Sequence, residues 1–273
     1  MIRPMTSVDI PGAMRLKEAA GWNQTQADWE LLLRMAPDGC WIYEADGLAA
    51  GSVTAVRYGL DLAWIGMVLV LPEYRRRGIG RQLLLHAIEA CDRLGVRRLA
   101  LDATEMGRPL YLSLGFVDEE PIERWALDGL APPNVADRTS TGLELRYEEG
   151  LDRQALGVDR RRLVEELAAL PGAEAAWDSD GYALSRPGYQ ARYLGPLTAR
   201  NVAAARRLCE ALLAKHRGER FFFDILPMRD PVAELATSLG FRPLRKLVRM
   251  SRPAASRSTA PVGICSAAGF ELG

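Results

Sequence analysis

YRRRGIGRQLL, residues 74–84, places three arginines before Gly78 and Gly80 and then enters an apolar-rich segment. The ten residues before Pro72, Leu62–Leu71, are almost all apolar and rich in Val and Ile, which predicts a buried central strand. After the glycines, apolar residues recur at helical spacing and predict a helix that Gly95 ends: Leu83, Leu84, Ala87, Ile88, Cys91 and Leu94. The sequence therefore predicts a strand, a glycine loop and a helix in succession.

The glycine loop is typical of an anion site at a helix N-terminus. Glycines remove side chains, so that consecutive backbone N–H groups can converge on an anion, and arginines add charge-assisted hydrogen bonds. A P-loop would need Lys and then Ser or Thr after its glycine, but Arg81 and Gln82 follow Gly80. A dinucleotide fingerprint would need glycine where Leu83 stands. A pyrophosphate fits the remaining pattern of glycines and arginines. The loop alone is also compatible with a simple turn whose arginines are solvated.

Together with its neighbours, this pattern resembles the GNAT superfamily of N-acetyltransferases over about residues 2–125. Arg75-x-x-Gly78-x-Gly80 is similar to the loop that holds the pyrophosphate of acetyl-CoA in that superfamily. The resemblance implies that the preceding strand offers backbone groups to the pantetheine arm. The implied acetyl-CoA contacts are Val68, Leu69, Val70, Arg75, Arg76, Arg77, Gly78, Ile79, Gly80 and Arg81. No metal is expected.

Tyr111-x-x-x-Gly115-Phe116 resembles a later GNAT motif, which implies that Tyr111 is the general acid. We expect an ordinary pKa near 10 for it, and a core aromatic is the alternative. The stretch GWNQT, residues 21–25, resembles the part that closes over acceptors, which makes Trp22 and Asn23 candidate substrate contacts; Trp22 is equally expected in core packing.

The general base is not identified by the sequence. His86 falls on the polar side of its predicted helix and His216 lies in a basic turn, so both are expected at the surface. Glu105 lies beside the expected active loop and is a weak candidate.

The second half of the chain is predicted to be a diverged copy of the first. Ser-Leu-Gly-Phe occurs twice, and an arginine follows each Phe by eight residues, at Arg124 and Arg249. Two strands also end alike, at Asp102 and Asp224. Two matches at consistent offsets favour duplication. In the second copy, Ala236 stands where Tyr111 would be. The start of the corresponding helix also lacks Gly-x-Gly. We therefore expect the second domain not to bind CoA in the usual way.

The sequence also predicts the domain organisation. The fold class is α/β (α+β), with two GNAT-like domains, each a mixed, mostly antiparallel sheet flanked by helices. Residues 1–130 form the predicted catalytic domain, 131–145 a linker rich in Pro, Asp, Ser, Thr and Gly, and 146–273 the degenerate domain. The resemblance implies tandem enzymes of this kind, and the closing FELG, residues 270–273, is similar to that group.

The composition argues against several classes of function. Lys plus Arg equals Asp plus Glu, 35 against 35, which gives no overall field for nucleic acid or an anionic membrane. The four cysteines form no C-x-x-C pair, and no export signal or membrane span is recognised, so a cytoplasmic protein is expected. The leading hypothesis is an acetyl-CoA-dependent N-acetyltransferase whose small-molecule or peptide amine attacks the thioester directly in a ternary complex. The rival is a noncatalytic acyl-CoA sensor acting through a protein partner. A homodimer is a candidate assembly.

Overall fold

The protein is described here by a computed structural model, which covers residues 1–129, 149–226, 231–253 and 264–273. The predicted linker at 131–145 lies outside these residues. Two compact units form: unit 1 contains Met1–Glu119, residues 249–253 and Phe270–Gly273, and unit 2 contains residues 120–129, 149–226, 231–248 and 264–269. Each unit thus includes a segment from the other half of the sequence. The division at residues 1–130 and 146–273 stays a prediction.

In its described residues, unit 1 consists of a sheet and four α-helices. Its helices are α1 (Ile10–Ala19), α2 (Gln26–Met35), α3 (Ile79–Arg93) and α4 (Arg108–Ser113). Its strands are β1 (Ile2–Pro4), β2 (Cys40–Ala45), β3 (Leu48–Tyr58), β4 (Leu62–Val70) and β5 (Leu99–Ala103), and β6 (Val117–Asp128) begins in it.

Local sequence explains several of these boundaries. A capping box starts α2, because the Asp28 N–H donates to Thr25 Oγ1 while the Thr25 N–H donates to the Asp28 carboxylate. The turn between β2 and β3 is formed by Asp46 and Gly47, both with positive φ, 52° and 72°. Such a two-residue turn joins antiparallel strands.

Helix α3 buries the apolar stripe that its spacing predicts, Leu83, Leu84, Ala87, Ile88 and Cys91. Including Leu94 in that stripe is wrong, since its side chain is 48% exposed. Leu94 caps the helix after Arg93, and Gly95 with φ 73° turns the chain away. A residue past the last turn no longer follows the helical face.

Unit 2 repeats the alternation of helices and strands. Its helices are α5 (Glu149–Leu156), α6 (Arg161–Ala168), α7 (Val202–Lys215) and α8 (Val232–Ser238). Its strands are β7 (Glu174–Asp178), β8 (Gly181–Arg186), β9 (Arg192–Ala199), β10 (Arg220–Ile225), β11 (Arg242–Arg252), which ends in unit 1, and β12 (Ile264–Ser266). Residues 120–128 of β6 belong to unit 2, and Glu123 to Asp128 pair with β10.

The predicted fold class is confirmed, because both units have mixed, mostly antiparallel sheets with helices packed on them. In unit 1, β1 to β4 pair antiparallel in chain order, and β5 joins β4 in parallel. In unit 2, β7, β8 and β9 pair antiparallel and β10 meets β9 in parallel. Across the described ranges, no helix combines the length and apolar character needed to cross a bilayer.

Candidate active site

Strands β4 and β5 of unit 1 stay paired over a short distance only. Their parallel register joins Ala63 to Leu99 and Trp64 to Ala100, whereas β4 remains paired with β3 as far as Val70. Within the described residues, the recorded pairing between β4 and β5 therefore stops six residues before β4 ends. The later part of β4 has an edge available to a ligand's amide groups.

A β-bulge reshapes β4 where its pairing with β5 has ended. Thr54 faces Gly66 and Ser52 faces Leu69, so two residues of β4, Met67 and Val68, stand opposite one residue of β3. Met67 has φ 49°, which is uncommon for a residue with a side chain, and its carbonyl accepts from Ser52 Oγ at 2.7 Å. The bulge was not anticipated from the sequence.

The backbone after the bulge presents two N–H groups to the open edge. The Leu71 N–H donates to Ala50 O on the β3 side at 3.0 Å. Because N–H directions alternate along a strand, the N–H groups of Val70 and Val68 point towards the β5 side. Of the three predicted β4 contacts, Leu69 alternates to the other side and offers no N–H to this edge.

Gly78 starts α3 with a left-handed backbone. Its φ is 77°, and it is the N-cap residue, so no side chain caps the helix. The Gln82 N–H bonds to Gly78 O at 3.0 Å as the first full helical turn closes. The N–H groups of Ile79, Gly80 and Arg81 therefore form the positive end of a 15-residue helix. Exposure of Gly78 leaves that end accessible to an anion.

The predicted arginines surround this helix end. Arg75, Arg76, Arg77 and Arg81 are all exposed. Arg75 Nε donates to Val70 O at 3.1 Å, and Arg77 Nη2 donates to Glu73 O at 2.8 Å with its guanidinium 5.1 Å from the Tyr74 ring centre. These bonds use carbonyl acceptors and no carboxylate, so the positive charges are not neutralised by them.

The strand end, the glycine loop and α4 meet at Gly80. A methyl group at this position would lie 3.7 Å from Leu110 Cδ2 and 3.8 Å from Val70 Cγ2. Thr104 helps to start α4, since its Oγ1 accepts from the Gly107 N–H at 3.1 Å. Tyr111 follows Leu110 and is therefore carried by the helix that approaches the start of α3.

Tyr111 lies at the interior side of α4. Its side chain is 9% exposed, and its ring makes an edge contact with Phe116 at 6.1 Å between centres. Among the described residues, none accepts a hydrogen bond from its hydroxyl. The ring is thus packed in the interior of unit 1. This packing fits the alternative of a core aromatic, and the role of general acid stays a prediction.

The expectation of an ordinary pKa for Tyr111 is wrong. Burial raises the pKa of Tyr111 to about 12, because the phenolate would lose its hydration. The hydroxyl therefore stays protonated at all physiological pH values and can act as a hydrogen-bond donor.

The loop between α1 and α2 carries the predicted acceptor contacts. Asn23 is buried and Trp22 is half-buried, and their roles as substrate contacts stay predictions. The neighbouring Gln24, which sequence reasoning missed, donates from Nε2 to Glu271 Oε2 at 2.7 Å. Phe270–Gly273 thus packs within unit 1, a placement that the distance along the sequence conceals.

The candidate bases differ in their surroundings. Glu105 is exposed in the loop before α4. His86 is half-buried, with its ring centre 5.1 Å from that of Trp41, so part of its side chain reaches the surface. His216 belongs to unit 2, where its Nδ1 lies 2.9 Å from Glu219 Oε1 and its side chain is 17% exposed.

The gap between β4 and β5 has a counterpart in unit 2, and there it is filled. Strand β12 lies between β9 and β10, pairing Cys265 with Thr198 and Ser266 with both Leu197 and Ile225. At the position that corresponds to Tyr111 stands Ala236, which is fully buried in the core of unit 2. Where β4 and β5 of unit 1 have separated, β9 and β10 of unit 2 are thus bridged by β12.

Metal-binding side chains do not cluster in the described part of the chain: no group of three or more His, Cys, Asp or Glu residues is placed to hold an ion there.

Known protein families match the two halves of the sequence separately. Residues 13–116 match the Acetyltransferase (GNAT) family, and residues 149–260 match an Acetyltransferase (GNAT) domain. An uncharacterized N-acetyltransferase of Bacillus subtilis, YitH, is 28% identical over 240 residues, 84% of this chain and 81% of that protein. The ribosomal protein bS18-alanine N-acetyltransferase of Salmonella typhimurium is 31% identical over 131 residues, 44% of this chain and 82% of the enzyme.

Solved structures share the fold of the whole chain. A Pyrococcus horikoshii protein described as an acetyltransferase has a TM-score of 0.88 at 23% identity, with 100% of this chain and 95% of that one covered. A tandem GNAT protein from the clavulanic acid biosynthesis pathway has a TM-score of 0.63 at 17% identity, covering 93% and 99%. At these identities the likeness establishes the fold alone.

Proposed function

This chain belongs to the GNAT family of acetyltransferases and contains two GNAT domains, and from this premise we propose that unit 1 transfers the acetyl group of acetyl-CoA to an amine. The observation that carries the proposal is the combination of Gly78 at the start of α3 with the unpaired edge of β4. The start of α3 offers N–H groups to the diphosphate of CoA, and the edge of β4 offers backbone amides to the pantetheine arm next to that diphosphate.

The glycine loop fits the diphosphate by charge and by shape. A left-handed Gly78 leaves the first helical N–H groups uncovered, and these are favourable donors to an anion. The exposed guanidinium groups of Arg75, Arg76 and Arg81 can turn towards the phosphate oxygens, where charge-assisted bonds are about twice as strong as neutral ones.

The strand edge supports the thioester. In acetyl transfer the amine nitrogen attacks the carbonyl carbon, negative charge develops on the carbonyl oxygen, and the carbon–sulfur bond breaks. The N–H groups of Val68 and Val70 face the edge at which that oxygen would lie. Fixed donors of this kind are worth roughly 100- to 1000-fold in rate for one hydrogen bond.

Tyr111 supports the departing sulfur. A phenol with a pKa of about 12 would transfer its proton uphill to a thiolate, whose ordinary pKa is about 8.5. We therefore propose that the Tyr111 hydroxyl donates a hydrogen bond to the sulfur in the transition state. Tyr111 passes its proton to the sulfur only as the attacking nitrogen loses a proton. This is a general-acid role in which the donor never accumulates as phenolate.

The acceptor is proposed as a class. Related enzymes include one named for the alanine of ribosomal protein bS18, so a peptide with N-terminal alanine is a natural first candidate beside small amines. Unit 2 supplies no second transfer site under this proposal, because β12 fills its gap.

The test is release of free thiol from acetyl-CoA by the pure protein, across a panel that contains an N-terminal alanine peptide, a polyamine, an amino sugar and an arylamine. We expect amine-dependent thiol release with an acetylated product seen by mass spectrometry. Tight CoA binding without acetyl transfer to any amine would instead identify a sensor.

A further inference from the structure

Two side chains of unit 1 fix the segment Phe270–Gly273 in place. Trp64 Nε1 donates to Phe270 O at 2.9 Å, and the Tyr58 hydroxyl donates to Leu272 O at 2.5 Å. Glu271 lies between these two anchored carbonyls and is 2% exposed. Its position is therefore set from both sides by donors on β3 and β4.

Glu271 packs directly on the strand that is proposed to hold the thioester. A methyl group at Gly66 would lie 2.8 Å from both Glu271 Cα and Glu271 O, so only glycine leaves room for this approach. Gly66 immediately precedes Met67, where the bulge of β4 begins. The segment thus contacts β4 two residues before Val68, the first of the two N–H groups assigned to the carbonyl oxygen.

The carboxylate of Glu271 is oriented by the loop that carries the acceptor candidates. Gln24 Nε2 donates to Oε2 at 2.7 Å, and both side chains are buried. Asn23 and Trp22 precede Gln24 in that loop. A carboxylate accepts up to about four hydrogen bonds, so the bond from Gln24 orients the group and is compatible with a further donor.

A buried carboxylate beside a thioester site suits a cationic amine. Most alkylamines are ammonium ions at neutral pH, because their pKa is near 10. An ammonium donates charge-assisted hydrogen bonds to a carboxylate.

We propose that Glu271 receives the ammonium group of the acceptor and accepts one of its protons, an inference that rests on the proposed acetyl transfer. The proton moves from nitrogen to the carboxylate and then to water, and the freed lone pair forms the nitrogen–carbon bond as the carbon–sulfur bond breaks. The second N–H proton ends on the sulfur. Glu271 thereby supplies the general base that the sequence alone does not identify.

A matched pair of CoA thioethers tests this without knowledge of the acceptor. S-(2-aminoethyl)-CoA ends in an ammonium group beyond the sulfur, and S-propyl-CoA has the same number of non-hydrogen atoms without the charge. By calorimetry the wild type should bind the aminoethyl compound at least about tenfold more tightly, as expected for a hydrogen bond between charged groups. Glu271→Gln, whose amide oxygen can still accept from Gln24, should lose this preference while binding S-propyl-CoA normally.

Two further variants complete the experiment. Glu105→Gln, which removes an exposed carboxylate near α4, should keep the full preference. Glu271→Asp keeps the charge and should keep part of the preference for the aminoethyl compound. This variant tests the inference even if Glu271→Gln does not fold. Equal preference in wild type and Glu271→Gln, or no preference in the wild type, would overturn the inference. Failure of both thioethers to bind would instead contradict the proposed function.

Discussion

Arg249 donates from Nε and Nη2 to the two carboxylate oxygens of Asp102, at 2.9 and 3.1 Å. The same pairing recurs in unit 2, where Arg124 donates to Asp224 at 2.7 Å through both nitrogens. In each pair the arginine and the aspartate come from different copies of the repeat. The residues that mark the duplication in the sequence therefore also show how the two copies exchange strand segments.

Loss of Arg249 should destabilise unit 1 strongly. The Asp102 side chain is 0% exposed and that of Arg249 6% exposed, so Arg249→Met leaves a buried carboxylate without its main counter-charge. We expect the free energy of unfolding in urea to fall by about 3–5 kcal/mol, with partial recovery when Asp102→Asn is added. Arg97→Met, which breaks an exposed pair with Asp61, is the control and should cost less than about 1 kcal/mol. Equal effects of the two arginine variants would show that the buried pair is not important for stability.

Replacement of Tyr111 by Phe should slow catalysis and leave CoA binding nearly unchanged. The ring keeps its contact with Phe116, while the hydroxyl that is assigned to the sulfur is lost. We expect kcat to fall about 100-fold or more with the CoA dissociation constant within about twofold of wild type. Tyr189→Phe, at an exposed position of unit 2, should have no effect. Parallel loss of binding and turnover would assign Tyr111 to packing.

The pKa of Tyr111 can be read from tyrosinate absorbance. Because its folded pKa is about 12, above the ordinary value near 10, the protonated form is favoured in the folded protein. Stability linked to this proton is fully present below about pH 10 and is lost as the pH rises through about 12. At about pH 10.5 the folded wild type and Tyr111→Phe should have the same tyrosinate absorbance. One tyrosinate fewer in the variant, with circular dichroism unchanged, would show that the pKa is not raised.

The two glycines of the loop should respond differently to alanine. Gly78 has φ 77°, so Gly78→Ala strains the backbone by about 1–2 kcal/mol and should weaken CoA binding. At Gly80 a methyl group would make ordinary contacts of 3.7 and 3.8 Å, so Gly80→Ala should fold and bind CoA nearly as the wild type does. Binding measured by calorimetry in both variants checks this. A larger loss from Gly80→Ala would mean that the ligand approaches that side of the helix.

Local features of unit 1 could be predicted because neighbouring residues determine them. The spacing of Leu83, Leu84 and Ala87 sets the buried face of α3, and the turn at Asp46 and Gly47 sets the β2–β3 hairpin. Family membership and the duplication are likewise confirmed by the two domain matches. The assignments of individual CoA-binding and catalytic residues stay predictions.

Long-range features could not be predicted from one sequence. Glu271 lies 247 positions after Gln24, and nothing local indicates that they bond. The bulge at Met67 depends on the register of β3, and the raised pKa of Tyr111 depends on its burial in the folded protein. Closure of the second gap by β12 similarly follows from tertiary pairing.

The most direct test of the account is calorimetric titration of the wild type with CoA and with pantetheine, which lacks the diphosphate. If main-chain amides at the start of α3 hold that diphosphate and β12 closes the second gap, CoA should bind once per chain and pantetheine at least about 100-fold more weakly. Absence of heat with CoA, two sites per chain, or equal affinity for pantetheine would contradict the account.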